Sequence, residues 1–449
     1  MKVSIVGTGY VGLVTGVCLA EKGHQIVCVD IDQEKVDKIN QATPPIYEQG
    51  LEELLKKNIN VNLRATTDLH QAVIETDISL IGVGTPFNGS EIDLTYIEKV
   101  AHQIGKALKD KATYHVVVVK STVVPGTTDE VVLPILEQAS GKKAGVDFGV
   151  GMNPEFLREG EAVQDFMSPD RIVLGGIDDK TIDTMEKLYS VFDGVDQLKT
   201  NNKTAEMIKY TSNSLLATMI SFSNEIGNLC AAISDIDVVD VMKGVHLDKR
   251  ISPIMPNGER VVPALTSYLK AGCGFGGSCF PKDVKALIAH GQRFGEPMQL
   301  LDAVIQVNEQ QPQKVLSLLK NRFPSLREVP IAVLGLAFKP GTDDMRESPA
   351  IPIVKGLVAQ KARIKAYDPI ARHEAREILG NHQITYCDDL DQTIKDVEAV
   401  VLLTGWEEFK RIPELVVHLD PPPLVIDGRR MLDKHSMARY AGIGLREAT

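Results

Sequence analysis

The sequence predicts an α/β protein: two doubly wound parallel-sheet domains joined by a long central helix and a helical region. Three observations lead there. Short β-rich runs alternate with helical stretches in the first third of the chain, a long stretch with few breakers follows at 201–233, and the alternation restarts in the last third. At 449 residues the chain exceeds one small core, and its length corresponds to about three domains. The predicted division is 1–199, 200–312 and 313–449.

Lys2–Val6, Gln25–Val29, 78–83 and 115–120 read as buried strands, each followed by Gly, Pro, Ser or Asp. Residues 201–233 and 283–310 read as helices of the connecting region. In the last third, Pro330–Leu334 enters a glycine-containing turn, Arg363–Tyr367 ends at Asp368, and 399–403 and 424–426 follow, the last leading into Asp427-Gly428-Arg429. That pattern is a second Rossmann-like domain. The proline-rich pieces at 253–263 and 421–423 read as loops.

Composition excludes several classes. Hydrophobic residues at 43% and charged residues at 24% are ordinary for a globular chain. A formal charge of −11 with no Lys/Arg-rich run argues against a nucleic-acid partner, which needs a basic stripe. A signal-peptide reading of the N-terminus fails because Gly7, Gly9 and Gly12 break the apolar run. The apolar stretch 214–233 carries Asn224, Glu225 and Asn228 and does not read as a membrane span. The cysteines, six in all, lack metal-ligand spacing and read as thiols of a reducing compartment, so the expectation is a cytoplasmic protein with no metal and no membrane partner.

Gly7-Thr8-Gly9-Tyr10-Val11-Gly12 follows the first strand and opens a helix. Such glycines permit a tight turn and close approach of backbone to a pyrophosphate, which then sits at a helix N-terminus where N–H groups and dipole favour an anion. Asp30 ends the second strand, where a carboxylate hydrogen-bonds ribose hydroxyls and repels a 2′-phosphate, so NAD is expected over NADP. The later turn Gly335-Leu336-Ala337-Phe338-Lys339 lacks the full fingerprint and need not bind a second dinucleotide.

Gly272-Cys273-Gly274-Phe275-Gly276-Gly277-Ser278-Cys279-Phe280-Pro281-Lys282-Asp283 is the most informative stretch. Pro281 suits the first turn of a helix, which puts Cys279 at or just before the N-cap. There the positive dipole end and Lys282 favour a thiolate, and the preceding glycines let backbone N–H groups approach whatever the sulfur attacks. Cys279 is therefore the candidate nucleophile, against the alternative of a small buried hydrophobe. Cys273 precedes the loop and reads as structural. Asp283 is either a chemical group on the same side of the first turn or only an N-terminal helix acid. Glu155 with Glu159, and Lys209 with Asn213, are i,i+4 pairs of the kind that more often forms a solvated helix face, and only a shared pocket would make them chemical.

Gly7-x-Gly-x-x-Gly12, Lys120-Ser121-Thr122, Asn153-Pro154-Glu155-Phe156-Leu157, the Gly276-to-Asp283 run and Phe338-Lys339 together resemble the UDP-glucose/GDP-mannose dehydrogenase family over essentially the whole chain. The Gly-Gly-Ser-Cys form resembles the UDP-glucose branch, whereas 145–151 and 205–210 look more like the GDP-mannose branch. The resemblance implies a four-electron oxidation of the C6 hydroxymethyl of a nucleotide sugar to a carboxylate, with two NAD, in a homodimer or higher oligomer built on the central helix. It implies Cys279 as nucleophile, with Lys209, Asn213 and Asp283 around the C6 oxygen and the catalytic water, and Thr122 and Glu155 holding or activating water. It places Gly7, Gly9, Tyr10, Val11, Gly12, Asp30, Lys35, Thr85, Ser121, Thr122, Glu159 and Arg346 on the cofactor. It places Glu155, Phe156, Leu157, Lys209, Asn213, Tyr268, Leu269, Gly274, Phe280, Phe338, Lys339 and Arg429 on the nucleotide sugar, and sends Arg250 to the partner subunit's substrate. One departure is the insertion 252–267, which puts Arg250 in doubt and offers Arg260 instead. The competing readings are GDP-mannose or dTDP-glucose as substrate, a two-electron hydroxyacid dehydrogenase with Lys209 as base, and an NAD-binding regulator without turnover.

Overall fold

The computed structural model describes residues 1–446, and the chain divides into two compact units, Met1–Ser212 and Asn213–Thr449. The first unit is built on eight strands: β1 (Lys2–Val6), β2 (Gln25–Val29), β3 (Leu63–Thr66), β4 (Ile78–Ile81), β5 (His115–Val119), β6 (Phe148–Met152), β7 (Arg171–Gly176) and β8 (Asp196–Thr200). Their order is β3-β2-β1-β4-β5-β6-β7-β8. β1 lies between β2 and β4, with Val6 opposite both Val29 and Ile81. The order reverses there, and the crevice outside the carboxyl ends of such strands is where this architecture binds ligands. The sheet is not wholly parallel as expected, because β7 pairs antiparallel to β6 before β8 resumes the parallel pattern.

β5 reads His-Val-Val-Val-Val and is buried at every position. Its alternate valines feed two apolar clusters, Val116 and Val118 joining one, Val117 and Val119 the other. A sheet buried on both faces needs such continuous apolar runs. A polar thread crosses it at the amino ends of the strands. Ser4 Oγ lies 2.6 Å from Ser79 Oγ, Ser79 Oγ 2.7 Å from His115 Nε2, and His115 Nδ1 3.1 Å from the Thr76 carbonyl. A carbonyl only accepts, so Nδ1 carries the ring proton and Nε2 accepts from Ser79. Burial, with the Lys111 charge adding to it, pushes the imidazole down to about 3.

The second unit holds a six-stranded sheet of β9 (Pro330–Leu334), β10 (Arg363–Tyr367), β11 (Ile384–Tyr386), β12 (Ala399–Leu402), β13 (Leu424–Asp427) and β14 (Tyr440–Gly442). The order is β11-β10-β9-β12-β13-β14, parallel throughout. The single helix expected over 283–310 is two helices, Phe280–Arg293 and Gln299–Lys320. Gly291 ends the first, its carbonyl taking the amides of Phe294 and Glu296, and Gly295 (φ +78°) and Met298 (φ +48°) turn the chain. The second runs on beyond residue 310 with Pro312 inside it.

The long helix is Asn202–Ile233, as the sequence predicts within a residue. Its part in the second unit docks on Gln299–Lys320, where Ser221 Oγ donates to the Val304 carbonyl at 2.8 Å and Asn228 Nδ2 to Gln311 Oε1 at 2.9 Å. Its outer side bears Leu215, Phe222, Leu229 and Ile233, the first three at spacings of seven. Among the described residues no helix is long and apolar enough to cross a membrane.

Candidate active site

The glycine turn leaves β1 and starts the helix Tyr10–Glu21, whose first turn holds no acidic residue and whose N-cap, Gly9, offers no side chain to the leading N–H groups. Each glycine has its own reason. Gly7 has φ +96°, and a Cβ there would meet Val83 Cγ1 at 2.8 Å. A Cβ on Gly12 would meet the Gly7 carbonyl oxygen at 1.8 Å. Gly9 alone faces open space, with nothing within 4 Å of its Cβ position. The turn thus presents unsatisfied N–H groups to a clear volume, which fits a pyrophosphate.

Asp30 stands beside it. Its Oδ2 accepts from Thr8 N at 2.9 Å and Thr8 Oγ1 at 2.6 Å, and its Oδ1 from Asp32 N at 3.1 Å. Burial pushes this carboxyl up, but those hydrogen bonds and the Lys35 charge outweigh it and hold it below the usual range. The carboxylate stays ionised and suits the ribose of a dinucleotide without a 2′-phosphate. At the same edge Thr85 Oγ1 donates to the Thr122 carbonyl at 2.7 Å and Ser121 Oγ to the Val83 carbonyl at 2.6 Å. These bonds tie the exits of β4 and β5 together.

β6 delivers residues 153–158 as irregular chain, so the reading of Glu155 and Glu159 as a helix face is wrong. Pro154 disfavours helical backbone at Asn153, and Glu155 turns inward. Glu155 Oε1 lies 2.8 Å from Lys209 Nζ on the long helix, both side chains buried, and Glu155 Oε2 takes the Leu157 amide at 2.7 Å. Phe156 lies between cations, its ring 3.9 Å from the Arg171 guanidinium carbon and 5.5 Å from Lys209 Nζ. Behind the loop Lys120, buried, donates to Asn153 Oδ1 at 2.8 Å beside the rings of Phe166 and Tyr189. Asn153 in turn donates to the Val173 carbonyl at 2.9 Å.

In the second unit the loop before Cys279 is fixed almost entirely through its backbone. Gly272 N donates to Asn224 Oδ1 at 2.7 Å, and the Gly272 carbonyl accepts from Gln311 Nε2 at 2.8 Å. Asn308 bonds both the amide (2.8 Å) and the carbonyl (3.0 Å) of Phe275. Gly276 and Gly277 allow close approach, since a Cβ would meet the Glu347 carbonyl oxygen at 2.3 Å and the Phe338 ring at 2.7 Å respectively. Gly277 N donates to the Arg346 carbonyl at 2.8 Å. The Arg346 side chain pairs with Asp344, 2.8 Å away. Arg429 binds three carbonyls, those of Leu403, Gly274 and Phe338. It holds the glycine loop to the sheet edge, next to Lys339, whose ammonium lies 5.9 Å from the Phe338 ring.

Cys279 is the N-cap of Phe280–Arg293 with Pro281 in the first turn, as expected, and offers no side-chain cap. Of the six thiols, all outside disulfides, Cys279 alone is not buried. Burial pushes Cys18 and Cys28 up to about 12 and Cys273 upward too. Cys273 is structural, its amide on the Gly428 carbonyl at 2.9 Å and its Sγ 3.5 Å from the Leu403 carbonyl. Asp283 is buried, with Asn213 Nδ2 on one oxygen at 2.6 Å and Lys282 Nζ on the other at 2.5 Å. Lys282 is thus committed to Asp283. Phe280 packs between Tyr268 and Phe275, at centroid distances of 6.2 and 6.0 Å, and the Leu269 carbonyl accepts from His246.

In the insertion, Met255 N donates to the Glu259 carbonyl and Val261 N to the Pro253 carbonyl, forming a hairpin-like turn at Gly258. Arg260 closes its base on the carbonyls of Leu247 and Ser252, both at 2.8 Å, while Arg250 projects outward with Asp248 as partner. In the second Rossmann-like turn Asp368 Oδ2 takes the amides of Leu336 (2.7 Å) and Ala337 (3.1 Å), as Asp30 Oδ2 takes that of Thr8 in the first. Asp368, Glu48, Asn224, Asn308 and Gln311 were missed in the sequence reading; only Asp368 had a local signal, its place after β10 matching that of Asp30 after β2.

Three family models match the chain. They are the NAD-binding domain (residues 1–193), the central domain (203–310) and the UDP-binding domain (332–434) of the UDP-glucose/GDP-mannose dehydrogenase family. The UDP-glucose 6-dehydrogenase AglM of Haloferax volcanii is 39% identical, over 99% of this chain and 100% of its own. A GDP-mannose 6-dehydrogenase of Pseudomonas savastanoi pv. phaseolicola is 41% identical, over 92% of this chain and 93% of its own. The solved UDP-glucose dehydrogenase of Pyrobaculum islandicum superposes with a TM-score of 0.89 at 38% identity, covering 99% of this chain and 98% of that one.

Proposed function

This chain belongs to the UDP-glucose/GDP-mannose dehydrogenase family, and from that premise we propose that it oxidises the C6 hydroxymethyl of UDP-glucose to a carboxylate through a thioester at Cys279. It is an NAD-dependent dehydrogenase, with the glycine turn and Asp30 as the residues that hold the dinucleotide. Bound NAD supplies a hydride acceptor, once for each of the two two-electron steps. The observation that carries the proposal is Cys279 itself: the one thiol not buried, at the uncapped start of a proline-initiated helix.

The chain's own groups would act as follows. Cys279 Sγ adds to the C6 aldehyde, forming a C–S bond and keeping the intermediate on the protein as a thiohemiacetal. Loss of the second hydride equivalent leaves a thioester, which water opens to the acid while the thiol departs. Asp283, held by Asn213 and Lys282, is an acceptor for the proton of that water. Lys209 is the cation this reading assigns to the developing oxyanion, with Glu155 as its counter-charge. Lys339 and Arg429 are assigned to the nucleotide sugar, and Arg250, being the projecting arginine, to the partner subunit.

The three-domain division at 1–199, 200–312 and 313–449 and a homodimer belong to the same proposal. The stripe on the long helix supports the dimer: Leu215, Phe222, Leu229 and Ile233 are each half exposed or more, at 51%, 50%, 57% and 57%. A solvent-facing seam of that period is what a partner helix covers. The test is to incubate the protein with NAD and a panel of nucleotide sugars and count NADH per sugar. Two NADH per UDP-glucose is expected; one would favour the hydroxyacid-type reading, and none with any free C6 hydroxyl would end this one. GDP-mannose is the second substrate to try, because the GDP-mannose 6-dehydrogenase relative is as similar in identity as the UDP-glucose one.

A further inference from the structure

We propose that Glu48 is a positioning residue that couples the dinucleotide turn to the loop presenting Glu155. Glu48 lies between the helices Gln33–Asn40 and Leu51–Asn58, and its residue is only 6% exposed. Its carboxylate spans two segments far apart in sequence. Oε2 accepts from the Tyr10 hydroxyl and from Gly160 N at 2.7 Å, and Oε1 accepts from Ala162 N at 2.9 Å. Tyr10 is the fourth residue of the Gly7-to-Gly12 turn and the first of its helix. Gly160, in the left-handed region at φ +83°, ends the loop that starts at Asn153 and carries Glu155 and Glu159.

The geometry makes this more than a local cap. Tyr10 and Gly160 converge on one oxygen, and Gly160 N also lies 3.1 Å from the Tyr10 hydroxyl, so the turn and the loop share a single hydrogen-bonded node. Burial, reinforced by Glu48 and Glu159, drives the phenol far up, so Tyr10 stays a donor at any working pH. The far end of the loop is pinned separately, by Lys120 on Asn153. A segment fixed at Asn153 and at Gly160 holds Glu155 between two anchors, and the second anchor is the one that touches the cofactor turn. Occupation of the turn by a dinucleotide and placement of the loop are then linked through Glu48, as contiguous hydrogen-bonded groups carry coupling between sites.

The inference rests on the dinucleotide reading of the turn but not on the identity of the sugar. Its test uses the full chain as Glu48→Gln, Tyr10→Phe and the double variant, with Glu52→Gln, in an exposed helix pair, as control. A glutamine accepts on one side only, so it must lose either the Tyr10–Gly160 node or the Ala162 bond. Two readouts are taken: NAD dissociation constants without sugar, and kcat and KM with UDP-glucose. Losing a hydrogen bond to a buried carboxylate should weaken NAD binding and lower kcat by about tenfold in each single variant, with KM for the sugar within about twofold. The double variant should lose less than the two single losses summed, because the charge that glutamine removes also supports the Tyr10 bond that phenylalanine deletes. Parental NAD affinity and kcat in Tyr10→Phe, which deletes one oxygen and keeps the Gly160 and Ala162 bonds, would overturn the proposal, as would additive losses in the double variant. A parent that binds NAD but turns over no sugar would defeat the substrate reading while leaving the NAD arm of this test intact.

Discussion

Lys209 Nζ and Glu155 Oε1 stand 2.8 Å apart with 4% and 5% of their side chains exposed, which makes them a buried ion pair on which two lysines depend. Burial pushes the Glu155 carboxyl up, but the Lys209 charge and hydrogen bond, the Leu157 amide and the Lys120 charge together hold it below its usual range. Glu155→Gln keeps the shape and strands both cations. The first unit should lose about 3–5 kcal/mol, the usual cost of leaving a buried charge uncompensated. Circular-dichroism unfolding in urea at pH 7 reads it, and an unchanged midpoint would refute it.

The same cluster has a pH signature. Burial, with Lys209 adding to it, pushes Lys120 down to about 8. An unfolded lysine titrates near ~10.4, so between these values the unfolded chain binds the proton and the folded chain does not. This group's penalty therefore shrinks as pH rises through that window. Glu155 holds the Lys120 proton on, so in Glu155→Gln that proton leaves at a lower pH than in the parent, and the variant should recover part of its lost stability relative to the parent as pH rises toward about 8. A deficit that is flat with pH would show that the lysines are not its source.

His115 works in the acid direction. Its folded value of about 3 lies below the unfolded value, so the unfolded chain takes up a proton first as pH falls. Stability is complete above about pH 6.5 and declines by roughly 1.4 kcal/mol per unit below it, until the folded state also protonates. His115→Gln, neutral throughout, should lose about 2 kcal/mol less than the parent between pH 7 and 4.5. Guanidinium unfolding at the two values checks it, and equal losses would count against a neutral buried imidazole in the Ser79–His115 thread.

What was legible in the sequence was local. The Gly7-to-Gly12 turn, Asp30 and the Cys279 helix start each declare themselves within a dozen residues, because turn, cap and strand end are short-range physics. The strands missed were β3, β6, β7, β8, β11 and β14. β6 is instructive: Phe-Gly-Val-Gly-Met carries two glycines, which weaken a strand signal, yet a Cβ on Gly149 would meet Thr181 Oγ1 at 2.3 Å and one on Gly151 would meet Met185 Cε at 2.9 Å. Those glycines serve close helix–sheet packing, which only the tertiary fold reveals. Glu48, Asn224, Asn308 and Gln311 were invisible for the same reason, their partners lying tens of residues away. Glu155 was placed on the wrong kind of element, and its burial followed from Lys209 rather than from any spacing.

Asp30 is the residue assigned to cofactor choice. Its carboxylate, fixed by Thr8 and Asp32, should make NAD strongly preferred over NADP. Asp30→Ala removes both the ribose acceptor and the charge that repels a 2′-phosphate, while Lys35 remains near. The ratio of kcat/KM for the two cofactors should fall by about tenfold or more, the worth of a charge-assisted hydrogen bond. Equal use of both cofactors by the parent would remove Asp30 from the site.

Cys279 separates the mechanisms most sharply. Serine there keeps size and hydrogen bonding but is barely ionised at neutral pH and is a far weaker nucleophile. The first oxidation does not require sulfur, so Cys279→Ser should still bind NAD and nucleotide sugar. Capture of the aldehyde does require it, so steady-state turnover should fall by about a thousandfold or more, the order seen when a covalent nucleophile is removed. Any acyl group that forms should persist as an ester at position 279, visible as a mass increment on the peptide. Cys273→Ser should behave like the parent, since the buried hydroxyl can use the same Leu403 carbonyl now 3.5 Å from the sulfur. Iodoacetamide should label Cys279 ahead of the buried thiols, and bound nucleotide sugar should slow that labelling. Full conversion to the acid by Cys279→Ser, at two NADH per sugar, would remove the thioester and leave an aldehyde hydrate as the species oxidised in the second step.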